Sequence, residues 1–122
     1  MSLVVKRVYE PPAKADGYRV LIDRLWPRGL TKETAALDAW AKELAPSTAL
    51  RQWFAHEAAR WDGFRHRYAA ELDAGAEHWR PLAERATRHP VTLLYAAHDE
   101  EHNNAVALKT YLENWLRMHG PR

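Results

Sequence analysis

Apolar residues recur along the chain in two spacings, as short continuous runs and as stripes with a period of three to four. The short runs at residues 3–9, 18–26 and 91–97 predict strands. The last of them is apolar on both faces, as in an interior strand of a parallel sheet. Residues 37–44 fit a strand or a helix equally well, because the alternation there is weak.

Helices are predicted where large apolar side chains fall three or four positions apart. Residues 58–72, 77–88 and 103–118 have this spacing, which gives each of them one apolar face. A short helical turn beginning at Thr31 and a helix capped by Ser47 are predicted before them.

Strands that alternate with helices favour an α/β fold. We predict a small, mainly parallel sheet of about four strands flanked by helices on both faces, in a Rossmann-like three-layer architecture. The chain has no linker or repeat, so residues 1–122 are expected to form one domain. The link between the first two strands is short for a parallel crossover. That pair is therefore joined irregularly, or the first strand lies antiparallel at an edge.

Composition narrows the classes of function. Apolar residues make up 47% of the 122-residue sequence, enough to form a core, and there is no cysteine, which excludes thiol nucleophiles, zinc–thiolate sites and disulfides. The formal charge is only +2, and the densest basic run, at 65–67, is short. A nucleic-acid partner is therefore disfavoured but stays open.

The location of the protein is also an expectation from the sequence. The longest apolar runs have strand length, so we expect no transmembrane span and no membrane partner. The first residues begin a strand and lack the layout of a signal peptide. Together with the absence of cysteine, this favours the cytoplasm. The sequence does not indicate an oligomeric state.

Polar residues follow two of the predicted strands at their carboxyl ends. Asp23, Arg24, Trp26 and Arg28 fall at the end of the second strand, and a cluster at 98–104 follows the last. In an open parallel sheet, ligands bind outside the carboxyl ends of the strands. We therefore predict one polar crevice formed by the two clusters.

Two arginines suggest the ligand of that crevice. Guanidinium forks bind phosphate or carboxylate oxygens in pairs, so Arg24 and Arg28 predict an anionic small molecule, and the indole of Trp26 could stack on its ring. The alternative is that nearby acids such as Asp99 and Glu101 occupy both arginines in internal ion pairs. The sequence does not decide between these two interpretations.

The histidines raise the question of a metal. His98 and His102 lie four positions apart, but a zinc protease helix needs glutamate after the first histidine, where this chain has Asp99. This segment is instead expected to enter a helix, with Asp99 as its cap. We therefore expect no metal. No cofactor is expected, since the glycine-rich loops of nucleotide-binding proteins are absent.

The candidate site can be stated residue by residue. His56 could act as a general acid–base, because histidine is the residue type most often used for that role, although a helix cap or a half-buried interface group is the commoner role for such a histidine. The candidate catalytic residues are His56, Asp23 and His102, and the candidate ligand-binding residues are Arg24, Trp26, Arg28, Asp99, Glu101 and Asn103.

Several of these motifs together resemble a known family. They are YRVLIDRLWPRG at 18–29, KELAPS at 42–47, WF at 53–54 with His56, FR at 64–65 with Tyr68, and LY through DEEHN within 94–103. The chain is similar over nearly its whole length to the YeaO-like bacterial proteins, the short branch of domain-of-unknown-function family 488. The resemblance implies a small α/β domain and no established activity.

The chain departs from the longer branches of that family at two places. Those branches carry a cysteine where this chain has Tyr95, and Cys-His-Arg where it has NNA at 103–105. Thiol chemistry therefore cannot be carried over. Members of the short branch are sometimes labelled porphyrin methyltransferases or transcriptional regulators. This sequence supports neither label, because it has no methyl-donor loop and no helix-turn-helix with a basic recognition face.

Two functions from different classes follow. The first is an enzyme or a binding protein that acts on an anionic small molecule, such as a phosphate ester or nucleotide. The second is a nucleic-acid or protein interaction module that uses Arg60, Arg65, Arg67 and exposed tryptophans. Arginines converging in a pocket favour the first function, and a basic face remote from the strand ends favours the second.

Overall fold

The sheet has four parallel strands. The structure is a computed structural model that describes residues 2–119. The strands are β1 (Leu3–Arg7), β2 (Tyr18–Leu21), β3 (Ala39–Trp40) and β4 (Val91–Tyr95), and their order is β1-β4-β2-β3. β4 therefore lies inside the sheet, as its apolar faces predicted, and β1 and β3 form the two edges.

Five helices accompany the strands. They are α1 (Lys32–Ala35), α2 (Thr48–Phe54), α3 (Trp61–Ala74), α4 (Ala76–Ala86) and α5 (Asn104–His119). Short 3-10 turns lie at Lys14–Asp16, Lys42–Leu44 and Ala58–Arg60. The predicted cap Ser47 is confirmed, because its side chain accepts an N–H group in the first turn of α2. The predicted turn at Thr31 is α1, and the Thr31 side chain caps it in the same way. No helix within residues 2–119 is both long and apolar enough to span a membrane.

The sheet is the middle of three layers, which confirms the predicted α/β architecture. On one face, Val20, Ile22 and Leu93 belong to a large core shared with the apolar sides of α2 to α5. On the other face, Leu21 and Leu94 form a smaller cluster beneath the segment that joins β2 to β3.

Of the two alternatives for the first strand, the antiparallel arrangement is wrong, although the position at an edge is right. β1 runs parallel to β4, and β4 lies between β1 and β2, so the 8–17 link crosses about two strand spacings. Asp16 holds this link. It is 8% exposed and accepts hydrogen bonds from Ala13 N–H (2.9 Å), Lys6 Nζ (3.1 Å) and Arg19 Nη1 (2.5 Å).

The second strand is shorter than the sequence predicted. β2 ends at Leu21 and not at Trp26, although the N–H of Ile22 still reaches the Leu94 carbonyl. After Ile22 the carboxylate of Asp23, and not a backbone carbonyl, accepts the N–H of Ala96. The polar motif therefore lies in a loop beyond the strand, where its side chains are free to turn toward a cavity. The ambiguous 37–44 segment contains both a two-residue strand and a 3-10 turn.

Candidate functional site

A cavity of about 460 Å³ lies at the carboxyl ends of β2 and β4. Its volume falls within the usual range for small-molecule sites. Its walls come from the loop after β2, from α2 and its flanks, and from the entry to α5. They are formed by Tyr9, Asp23, Arg24, Leu25, Trp26, Pro27, Arg28, Ala45, Pro46, Arg51, Phe54, His56, Phe64, Ala96, Ala97, His102, Asn103 and Asn104.

Asp23 joins the two strand ends at the cavity. Its carboxylate accepts hydrogen bonds from the N–H of Ala96 at 2.8 Å and from the side-chain amide of Asn104 at 2.9 Å. Burial raises the pKa of Asp23, and the two hydrogen bonds and the charge of Arg51 oppose this rise only in part. The group is therefore harder to ionise than an exposed aspartate.

The start of α5 differs from the prediction. Asn103 caps the helix, because its side-chain carbonyl accepts the N–H of Val106 at 2.9 Å. The prediction that Asp99 caps this helix is wrong. Asp99 instead caps the turn before it, where one carboxylate oxygen accepts the N–H groups of Glu101 and His102. The cause is the 100–103 segment, which bends before the helix begins.

His102 is held by Asp99 at the cavity wall. Its Nδ1 lies 2.9 Å from the second Asp99 oxygen, and its ring packs edge-on against Trp61 at 5.3 Å. Backbone N–H donors and the His102 ring together lower the pKa of Asp99. An ionised carboxylate at Nδ1 directs the other nitrogen of a neutral imidazole to act as an acceptor. Within residues 2–119, no three metal-binding side chains are grouped so that they could hold a metal ion.

The cationic side of the cavity comes from Arg24, Arg28 and Arg51. All three are exposed, and no ion pair within residues 2–119 involves any of them. Arg24 reaches only the carbonyl of Pro46, at 3.4 Å, and the side chain of Arg28 has no hydrogen bond within the same residues. The predicted alternative, internal pairing with acids such as Asp99, is not present in this structure.

Arg51 is a site residue that the sequence reasoning missed. It lies on the exposed side of α2, where an arginine normally indicates a solvated helix face. Only the packing of α2 beside the strand ends brings it to the cavity. Asn104 was also missed as a site residue, although it stands beside the predicted Asn103.

Trp26 lines the cavity but is fixed by its own loop. Its indole N–H donates to the Leu30 carbonyl at 2.7 Å, and its ring meets Trp40 edge-on at 5.3 Å. Trp40 in turn donates to the carbonyl of Asp23 at 2.7 Å. The two indoles therefore shape the 23–30 loop.

His56 is the remaining predicted residue at the cavity, and its backbone is unusual. Ala55 and His56 follow α2 with φ values of 47° and 59°, in the left-handed region that non-glycine residues avoid. This turn brings the exposed His56 to the wall. Two predicted ligand-binding residues, Asp99 and Glu101, do not reach it: Asp99 lies behind His102, and Glu101 is exposed.

A larger hollow of about 700 Å³ lies at the opposite end of the sheet, between the last turns of α4 and α5. Its basic wall residues include Arg85, Arg88 and His119. Cations are expected there without a ligand, because they complement the negative ends of two helix dipoles. The cavity of about 460 Å³ at the carboxyl ends of β2 and β4 is therefore the better candidate site.

The predicted interaction arginines lie elsewhere and pack on tryptophans. The guanidinium groups of Arg60 and Arg67 lie over the Trp53 ring, at 5.5 and 3.9 Å from its centroid. Arg65 lies over Trp61 and pairs with Asp62 at 2.6 Å. These contacts give each arginine a role within the fold.

Comparison with known proteins identifies the family. A family profile described as "Inactive DUF488-N3 subclade" matches residues 2–120. The chain belongs to this family. It is 45% identical over 117 residues to "Uncharacterized protein YeaO" of Escherichia coli (strain K12), covering 96% of this chain and 98% of that protein. It is 43% identical over 90 residues to "Uncharacterized protein Rv3073c" of Mycobacterium tuberculosis (strain ATCC 25618 / H37Rv), covering 72% and 76%. No solved structure matches the chain at a significant level.

The family result confirms the resemblance noted in the motifs. It also places the chain beside bacterial relatives over almost its whole length. The word "inactive" is part of the description of that subclade.

Proposed function

We propose that the cavity binds a small molecule that carries a phosphate or carboxylate group. The observation that supports this proposal is the meeting of Arg24, Arg28 and Arg51 at one cavity, where none of them forms an ion pair with another residue among 2–119. Guanidinium groups from two separate segments can surround an anion and offer it paired donors.

The electrostatics of the remaining wall agree with an anionic ligand. Asp23 is the acidic residue of the wall, and its carboxylate already accepts the N–H of Ala96 and the side-chain amide of Asn104. The amino-terminal end of the sixteen-residue α5 also faces the cavity and contributes a positive dipole end. Glu100 and Glu101, which could cancel this field, are exposed away from the wall.

We propose binding without turnover as the principal activity. The subclade is described as inactive, and this chain offers no thiol. A binding protein of this kind would act by sensing its ligand or by storing it. We also propose that it works in the cytoplasm, which agrees with a chain that contains no cysteine.

A second candidate function is acid–base catalysis on the same ligand. It is favoured by the 2.9 Å contact between Asp99 and His102, which orients an imidazole at the wall as in many enzymes. His56 and Asp23 would be its other candidate groups. If this function holds, His102→Gln abolishes turnover of a bound ligand and leaves its affinity within about threefold.

The interaction module is the less favoured alternative. Arg60 and Arg67 stack on Trp53, and Arg65 is paired with Asp62. A nucleic-acid surface needs cations that are free to approach phosphates.

A thermal-shift screen tests the proposed function. We would compare inorganic phosphate, sugar phosphates, dicarboxylates and nucleotides on the wild type and on Arg28→Ala. A ligand at one hundred times its dissociation constant stabilises the fold by about 2.7 kcal/mol, and Arg28→Ala should remove most of that gain. Arg88→Ala, in the larger hollow, is the matched control and should keep it. The proposal fails if no anion stabilises the wild type, or if only the control loses the effect.

A further inference from the structure

The amide of Asn104 has both of its N–H groups occupied. It donates to the carbonyl of Ile22 and to the carboxylate of Asp23. An amide group has two N–H donors and one carbonyl acceptor. Because both partners are acceptors, the orientation of the amide is fixed, and the carbonyl oxygen is the atom left for a ligand. No fully buried polar side-chain atom within residues 2–119 lacks a partner, so this oxygen, which has no hydrogen bond within those residues, is not fully buried. Asn104 lines the cavity.

The neighbouring groups on this side of the cavity are acceptors too. Each carboxylate oxygen of Asp23 accepts one N–H and has a second lone pair. Asp99 holds the Nδ1 of His102, so that in neutral imidazole the Nε2 atom is an acceptor. Asp23, His102 and Asn104 all line the cavity and carry lone pairs that N–H groups of a ligand could meet, and we call them its acceptor side.

The donors of the cavity lie on different elements. Arg24 and Arg28 come from the loop after β2, and Arg51 comes from α2. Guanidinium groups only donate hydrogen bonds. The cavity therefore offers cationic donors as well as acceptors, and one ligand that satisfies both must carry an anion and N–H groups.

Part of the cavity wall is apolar and aromatic. Phe54 and Phe64 pack with ring centroids 4.5 Å apart, and Pro27 and Pro46 also line the space. Apolar walls with a few converging polar groups are typical of sites for flat organic molecules. A ring fits this wall better than an extended chain of polar atoms.

We infer that the ligand is an amino-substituted heteroaromatic ring that carries a phosphate, the chemistry of a mononucleotide with an amino base. This inference rests on the proposed function and names its ligand class. The phosphate meets the arginines, the ring lies against the apolar wall, and the exocyclic amine donates to Asn104 and Asp23. A ring of the same size with a carbonyl in place of the amine would place its oxygen lone pairs against those of Asn104 and Asp23.

Paired ligands test the inference without altering the acceptor side. By isothermal titration, cytidine 5′-monophosphate should bind at least about tenfold more tightly than uridine 5′-monophosphate, and adenosine 5′-monophosphate more tightly than inosine 5′-monophosphate, because an unmet buried acceptor costs about this much. Arg51→Gln should weaken all of these complexes at least tenfold. The exposed Arg80→Gln carries the same charge change away from the cavity and should not.

The outcomes separate the two proposals. Equal binding of the cytidine and uridine monophosphates overturns the inference and leaves the anion site standing. The same holds if sugar phosphates or dicarboxylates bind and none of the four nucleotides does. Cytidine binding as tightly as its monophosphate contradicts the role of the arginines and therefore the proposed function. If no anion binds at all, both proposals fail.

Discussion

Asn104 donates a hydrogen bond to the carboxylate of Asp23 at 2.9 Å, and so joins the first residue of α5 to the loop that follows β2. The same amide also reaches the carbonyl of Ile22, beyond the last residue of that strand. Asp23 completes the connection through the N–H of Ala96 after β4. The acceptor side of the cavity is therefore part of the scaffold as well as a candidate binding surface.

Removal of this connection should be costly. Asn104→Ala removes the side-chain donor to the carbonyl of Ile22 and one of the two donors to the carboxylate of Asp23, and we expect the free energy of unfolding to fall by about 1–3 kcal/mol. Urea denaturation measures the change. Asn114→Ala, at an exposed position of the same helix, is the control and should change it by less than about 0.5 kcal/mol. Equal effects of the two variants would show that Asn104 contributes no specific contact.

Gly63 is needed in the middle of α3 because the Trp53 ring lies across it. A Cβ at this position would lie 2.8 Å from the ring of Trp53, which Arg60 and Arg67 cover on its faces. We expect Gly63→Ala to lower the free energy of unfolding. Overpacking against the ring costs about 1–2 kcal/mol, and the better helix propensity of alanine offsets about 1 kcal/mol of that cost. In a Trp53→Leu background the same change should be neutral or stabilising. A gain in the wild-type background would show that the ring moves aside freely.

Asp16 should give the fold part of its acid sensitivity. Burial would raise the pKa of Asp16, but the Ala13 N–H and the charges of Lys6 and Arg19 outweigh it and lower the pKa. Its stabilising contribution is therefore complete above the unfolded-state pKa of about 3.9 and is lost as the pH falls through the lower folded-state value. Asp16→Asn should cost on the order of 3 kcal/mol at pH 7, because Arg19, 4% exposed, loses its charged partner.

The difference between wild type and Asp16→Asn should shrink below pH 4 in denaturation curves measured from pH 7 to pH 2. Asp62→Asn, which breaks an exposed pair with Arg65, should cost less than about 1 kcal/mol at pH 7. A difference between wild type and Asp16→Asn that is constant across this range would refute the ionic role of Asp16.

The protein should be more stable with glycine than with alanine at position 55. Its φ of 47° at the end of α2 is left-handed, and glycine adopts this conformation without a Cβ penalty. Ala55→Gly should therefore raise the free energy of unfolding by up to about 1 kcal/mol. Ala49→Gly, at an exposed helical position of α2, should lower it by about the same amount. Destabilisation by both variants would show that the turn after α2 is not strained.

The sequence allowed the main layers of the fold to be predicted because they depend on local patterns. The apolar run at 91–97 indicated an interior strand, and the stripe at 58–72 indicated α3. The order of the strands was not predictable in this way. It depends on contacts between residues distant in sequence, such as that of Asp16 with Lys6.

The candidate site was predicted where polar residues follow strands directly. Asp23, Arg24 and Arg28 fall into this class, and all three line one cavity. Arg51 could not be found because a helix arginine has no local feature that separates a cavity position from a solvated one. The role of Asp99 was misassigned because the distance from an acid to a helix start depends on how the intervening turn bends.

A titration followed by two-dimensional ¹H–¹⁵N NMR tests the central claim most directly, with inorganic phosphate as the probe. If the cavity at the strand ends binds anions, the amides of Ala96 and Asn104 and the indole N–H of Trp26 should shift together and saturate. Arg28→Ala should abolish these shifts. Shifts confined to Arg85, Arg88 and His89 around the larger hollow, or shifts that grow linearly without saturation, would contradict the account.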